Sequence, residues 1–316
     1  MKKTSDLSDH IKRTMPKRDI QEGRESVQMF VEMLKHHKID VVDDEVLNRT
    51  YETEDYVDEK ILSLILETLK IDEPIQYIPR YMRSMNAFQA GGTTVVVVDE
   101  LLEYTLLSFL FTMYSLANDR GEENVIRCMK NFYVLEDLQN GRREIGTHNE
   151  KQLYEMSVLP KNLMNTAMDN YWTIWTFLMG HELYHAIHPD DREGKATELR
   201  ADQYAYRLLI KLIMKQKNNE IPKELEVFWE DQYLSPVILF EMFRLFDVYA
   251  ELRGRPAVYR DHPTPQERQE NIFSMFKDDV PEEMNTEEGN RVLNLVLNSS
   301  EYAEDWLRYK ISKEKL

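Results

Sequence analysis

Along most of this 316-residue chain the apolar positions recur every three or four residues, the period of a helix with one buried face. That pattern predicts helices over Glu25–His37, Asp55–Leu69, Leu101–Ala117, Glu122–Leu138, Asn165–His188, Thr197–Lys215, Pro236–Leu252, Pro265–Phe276, Glu288–Asn298 and Tyr302–Lys310. The departure is Ile75–Asp99. There Ile75–Ile78 alternates with period two, Asn86-Ala87-Phe88 is short and apolar, Gly91-Gly92 punctuates, and Thr93–Val98 is β-branched. A β-branched run of that length loses side-chain freedom in a helix and packs well on a pleated surface, so a small sheet or hairpin is expected. Val95, Val96, Val97 and Val98 read either as a buried core strand or as an edge strand along which an extended substrate could pair.

No Gly/Ser-rich or Pro-rich linker divides the chain, and no repeat at a solenoid period is visible. The expected organisation is a basic flexible arm over 1–20, an N-terminal helical layer over 21–74, a catalytic core over 75–278 and C-terminal helices over 279–316. The most apolar helix, Leu101–Ala117, is shorter than the roughly 20 residues of a membrane span. It carries Glu103 and a stripe of Thr105, Ser108, Thr112 and Ser115, which suits a buried helix with one weakly polar face. No membrane span is expected.

Charge narrows the partners. A formal net charge of −17 argues against general affinity for nucleic acid or anionic membrane, both of which attract cationic surfaces. Cys128 is the only cysteine, so no internal disulfide can form and a reducing, cytoplasmic location fits. Its helix offers no matched base, and His36-His37 and His148 have no carboxylate motif beside them. The polar stretch Arg142–Leu153 around His148 reads as a loop near the site.

Candidate chemistry concentrates in 171–209. His181-Glu182-Leu183-Tyr184-His185 is an H-E-x-x-H at the end of an aromatic helical run. On a helix, imidazoles four residues apart share one face and can converge on one Zn2+ while a position stays open for water. Glu182 then stands beside the metal as general base and acid for hydrolysis of a carbonyl compound. A third ligand is needed, and Glu198 is the choice. The break at Pro189-Asp190-Asp191 and the glycine at 194 let the next helix run back against the first, with Ala201 permitting close approach. Asp202, one turn beyond Glu198, can accept a hydrogen bond from the second nitrogen of a ligand histidine and fix its tautomer. His188 and Asp191 are the rival third ligands. His188 lies about 10 Å along the helix axis from His181, and Asp191 falls within the turn itself. The scheme depends on the turn Pro189–Lys195 returning Glu198 to the metal within very few residues.

These residues resemble the gluzincin metallopeptidases, in which H-E-x-x-H is followed by a helix bearing a ligand glutamate. Glu198-Leu199-Arg200-Ala201-Asp202 is similar to the E-x-x-A-D of the HtpX and CAAX-prenyl-protease type. Asn86-Ala87-Phe88, Gly91-Gly92 and Val95–Val98 look like that group's strand, glycine turn and strand, and Asp261–Arg268 resembles its His-Pro element and E-R helix. A compact H-E-x-x-H helix pair in a helical body also resembles the phage-exclusion peptidase Lit and the ImmA/IrrE-type regulatory proteases. The resemblance implies zinc held by His181, His185 and Glu198, Glu182 as base and acid, and His262 or Arg268 stabilising an oxyanion. His262-Pro263 equally suits a helix-start turn, with Thr264 as cap and Pro265 in the first turn.

The expected fold is therefore α+β and predominantly α-helical: a single zincin-like metallopeptidase domain with a small antiparallel sheet beside the active-site helix. The expected activity is zinc-dependent cleavage of a narrow set of protein or peptide substrates, in a regulatory or phage-defence setting. The alternative is a zinc-binding interaction or sensor protein with a vestigial site, against which an intact Glu182 argues.

Overall fold

The computed structural model describes residues 60–72, 75–80, 86–90, 93–139, 159–191, 194–225, 227–284 and 286–314. The basic arm, the helix expected over Glu25–His37, Gly91-Gly92 and the stretch Arg142–Leu153 with His148 lie outside the described residues. A helical run over 60–69 precedes three strands, β1 (Ile75–Arg80), β2 (Asn86–Ala90) and β3 (Thr93–Asp99). The helices that follow are α1 (Glu100–Asn118), α2 (Glu122–Gln139), α3 (Lys161–Ile187), α4 (Lys195–Lys217), α5 (Ser235–Leu252), α6 (Pro265–Asp279) and α7 (Glu287–Glu314).

The expectation of an α+β fold with a small antiparallel sheet is corrected: this is a helical protein. The core is assembled from helix side chains such as Phe109, Trp175, Phe177, Tyr206, Phe240 and Leu307. Of the three strand side chains described, Thr94 and Val96 are buried, and Val96 joins a core that the helices mostly supply, with Ile75 packed against that core. Nor are they antiparallel throughout. The order is β1-β3-β2, with β1 parallel to β3 and only β2 antiparallel to it.

That order also changes the place of Val95–Val98. Val95 pairs with both Gln76 and Phe88, Val96 with Tyr77 and Ala87, and Val97 with Ile78 and Asn86. The pairing directions of this central strand are taken on both sides, so it is no edge for an added chain. Among the described strands the edge beside α3 is β2.

The helices pack α3 against α4, α1 and α5, and α6 against both α4 and α5. The polar stripe of α1 is buried as expected, facing α2: Asn131 Nδ2 donates to Thr112 Oγ1, and Ser115 Oγ to Asn124 Oδ1 at 3.2 Å. No helix among the described residues is long and apolar enough to cross a membrane. The two C-terminal helices expected are one, α7, packed on α5 and α1. Ser299 and Ser300, which look like a break, continue it. Ser299 Oγ caps the Leu295 carbonyl at 2.8 Å, and Ser300 Oγ donates to the buried carboxylate of Glu241 on α5.

Candidate metal centre

The centre is built where α3 crosses α4. Gly180 lies at that crossing: a Cβ placed there would stand 3.0 Å from Leu208 Cδ2 and 3.2 Å from the Cα of Ala205, so a side chain would press these neighbours back by a few tenths of an ångström. His181 follows it in sequence, at the same level of the interface. Ala201 and Ala205, both fully buried, supply small surfaces on α4.

The turn between the helices is held by one carboxylate. Asp191 accepts from Tyr184 Oη at 2.6 Å, Thr197 Oγ1 at 2.8 Å and Arg200 Nε at 2.9 Å, and Arg200 Nη2 closes a second, shorter bond. The Arg200 guanidinium first, then the Tyr184 hydroxyl, hold its carboxyl well below the usual carboxylate range. Gly194 has φ of 60°, a left-handed conformation that side chains resist, and its carbonyl accepts from Thr197 N at 3.0 Å to begin α4. The short return from Pro189 to Lys195 is therefore made, and Glu198 arrives opposite the two imidazoles.

His181 Nε2 and His185 Nε2 stand 3.2 Å apart. Glu198 Oε2 is 3.4 Å from the first and Oε1 is 3.4 Å from the second. These are the three residues whose ligand atoms lie within 4.8 Å of one another among the described residues. Two atoms bound tetrahedrally to one zinc at about 2.0–2.1 Å stand about 3.3 Å apart. The two imidazole nitrogens stand at that edge, each has one oxygen of Glu198 at it, and two imidazoles with one carboxylate are donors zinc accepts, so the residues fit the metal.

His181 is held from behind. Its Nδ1 lies 2.9 Å from Oδ1 of Asp202, which is fully buried. Arg268 grips the same carboxylate with two nitrogens, Nε on Oδ2 at 2.8 Å and Nη2 on Oδ1. Arg268 Nη2 also comes within 3.3 Å of His181 Nδ1, but both are donors when Nδ1 carries the proton, so the shared acceptor Asp202 Oδ1 accounts for the approach. With Nδ1 turned to Asp202, Nε2 is the nitrogen that faces Glu198 and His185, where a proton or a metal ion can sit.

Charge balance at the cluster favours a cation. Burial alone would lower His181, but hydrogen bonds to Asp202 and Glu198 outweigh it and bring the group to about 9. Burial raises Glu198 and His181 lowers it more, to about 2. His185 is lowered, first by burial and then by repulsion from His181. Positive charge is thus welcome between His181 and Glu198, and a divalent ion competes with a proton for the same place.

The other sequence candidates are placed as follows. His188 ends α3 exposed, its ring 4.5 Å from that of Tyr184, and is outside the ligand group. Asp191 is engaged in the turn. His262 does reach the site, with Nδ1 3.4 Å from Glu198 Oε2 and its side chain 71% exposed at the mouth. The helix-start turn expected there is present: Thr264 caps α6 in a capping box with Glu267, and Pro265 begins the helix. Arg268, for which the resemblance implies an oxyanion contact, is bound to Asp202 and lies 4.4 Å over the Phe240 ring. Glu182, half-buried on α3, sits within the field of Arg268.

Sequence reasoning missed Gly180 and the Asp191 clamp. A lone glycine inside an apolar helical run next to the first histidine was the available signal for the former. Comparison with protein-family models, curated proteins and solved structures finds no match to this chain.

Proposed function

We propose that the protein is a zinc-dependent endopeptidase whose metal is held by His181, His185 and Glu198. The observation that supports the reading is the convergence of these three groups from two helices at the spacing of a tetrahedral edge. Zinc, when bound, acidifies water and polarises a carbonyl.

The chain's own residues then divide the work. Glu182 takes the proton from the attacking water and delivers it to the amine as the C–N bond breaks. Asp202 keeps the Nδ1 proton on His181, and Arg268 keeps Asp202 ionised and in place. His262, at the mouth, donates a hydrogen bond to the oxygen that gains charge. The substrate main chain pairs with β2, the edge strand beside α3, since β3 is enclosed.

The test joins metal analysis to cleavage. The wild type should retain one zinc after dialysis and cut host proteins identified by terminal profiling of cells expressing it. Glu182→Gln should keep the zinc and lose cleavage by roughly 10²–10⁴-fold. Cleavage unchanged in that variant would remove Glu182 from the mechanism, and zinc bound without cleavage of any protein would favour a zinc-binding interaction protein instead.

A further inference from the structure

Beside the metal centre, a cleft of about 410 Å³ opens between α5, the stretch 255–263 and the start of α6. It adjoins the centre through two of its lining residues: His262, which faces Glu198, and Arg268, which grips Asp202. The size lies at the low end of small-ligand pockets and leaves room for one long side chain with its backbone. Three aromatic residues line it, Phe243, Phe246 and Tyr259, and among them is the carboxylate of Asp247.

Asp247 is the informative group. It is half-buried, and its hydrogen bond comes from the neutral hydroxyl of Tyr259. Burial pushes its carboxyl up, which the Tyr259 bond only partly offsets. No ion pair of the described residues joins it to Arg255, which is exposed in the same cleft, and the charge of Arg268 is already met by Asp202. An apolar side chain entering the cleft would strip water from this carboxylate and return nothing. A cationic one would meet a carboxylate with no cation of its own and rings suited to cation–π contact, on a body carrying a net charge of −17.

We infer that this cleft seats a lysine or arginine side chain of the peptide substrate, on Asp247 and between the aromatic residues, next to the bond to be cut. The inference rests on the peptidase reading for the identity of the ligand, but its test is binding and needs no turnover. Fluorescein-labelled heptapeptides of alanine with one central arginine, norleucine or phenylalanine are titrated by fluorescence anisotropy into the full-length, zinc-loaded Glu182→Gln protein.

The arginine peptide should bind at least about tenfold tighter than either of the others. Adding Asp247→Asn, an isosteric change that still accepts from Tyr259, should reduce that preference to within about twofold while zinc content and the melting curve stay put. Arg255→Ala, at an exposed position, should tighten the arginine peptide alone. Equal binding of the three peptides, a preference for phenylalanine, no binding of any, or indifference to Asp247→Asn would overturn the inference. Failure of the peptidase reading appears separately, as a wild-type protein that cuts none of the peptides whatever their binding order.

Discussion

Two polar clusters sit at the α3–α4 turn, and they are satisfied in different ways. Around Asp191, every contact joins a donor to an acceptor: a phenol, a hydroxyl and a guanidinium converge on one carboxylate at 2.6–2.9 Å. Around Glu198 the spacings are 3.2–3.4 Å, and two imidazole nitrogens face each other, at least one of which needs a proton to make the contact favourable. The first cluster is complete with protein atoms alone. The second has ligand atoms at the distances they keep around a shared ion. Completeness, rather than the mere gathering of polar groups, separates the carboxylate that ties a turn from the one proposed to hold a metal.

The largest effects should break this contrast directly. Glu198→Ala should leave no zinc after dialysis, while Asp191→Ala should retain zinc and instead lower the melting temperature by a few degrees, with both read on the same preparations. Acid gives the second arm a further check. The clamp holds the Asp191 carboxyl below its ordinary value, so its contribution is present above the unfolded pKa and is lost as pH falls below it. Zinc lost from Asp191→Ala and kept by Glu198→Ala would reverse the assignment.

Next in size is the support behind His181. Asp202→Asn keeps the shape but leaves one oxygen for both His181 and Arg268, and should weaken zinc binding by roughly 10–100-fold, as losses of such partners generally do. Competition with a chelator of known affinity measures it. An unchanged zinc affinity would mean that Asp202 serves packing alone.

These outcomes depend on residues that were legible in the sequence to very different degrees. His181 with His185, and Glu198 with Asp202, are four apart on single helices, so their common faces follow from helical period before any fold is known. Arg268 lies 66 residues from Asp202, and no local rule pairs them. The strands were read from β-branched residues and glycines, which report local preference. That β1 lies parallel to β3 and encloses it is a matter of long-range pairing, and with it went the expected substrate edge at Val95–Val98. The fold class failed for a related reason: strand preference says that a segment extends, not how much of the core the helices around it supply. The expected helices stopped at Asn298 and resumed at Tyr302, yet a backbone carbonyl and Glu241 absorb the hydroxyls of Ser299 and Ser300 and the helix runs on.

A smaller effect is expected at the crossing itself. Gly180→Ala would press a methyl group onto Leu208 and the backbone of Ala205, which must give by a few tenths of an ångström; overpacking of this kind costs about 1–3 kcal/mol, of which the better helix propensity of alanine returns up to about 1 kcal/mol. Because the strain falls beside His181, zinc affinity should drop a few-fold with it. A denaturant melt and the chelator competition, run side by side, report the two. A variant that melts like the wild type would show that α3 and α4 have slack at this point, and the ligand spacing would then owe less to the crossing.

The smallest effect concerns a third carboxylate, Asp169, on α3 twelve residues before His181, which is unfavourably placed and yet belongs to no ligand group of the described residues. Burial, then the nearby charge of Asp231, raise it to about 6, and a hydrogen bond from Trp229 offsets only part. Its folded pKa therefore exceeds the unfolded value of 3.8. Between those two values the folded chain holds the proton more readily than the unfolded one, so stability falls as pH rises through the window and the whole penalty is present above about 6. Asp169→Asn removes the charge and keeps an acceptor for Trp229. With allowance for solvent screening at this half-buried position, it should stabilise the protein by about 1 kcal/mol at pH 7.5 and by nothing near pH 4. Equal melting shifts at both pH values would show that the gain is not electrostatic. A gain confined to the higher pH, with zinc content unaltered, would show that a strained carboxylate on the same helix is a cost of the fold and that the metal centre is marked by the convergence of ligand atoms, not by an unfavourable charge.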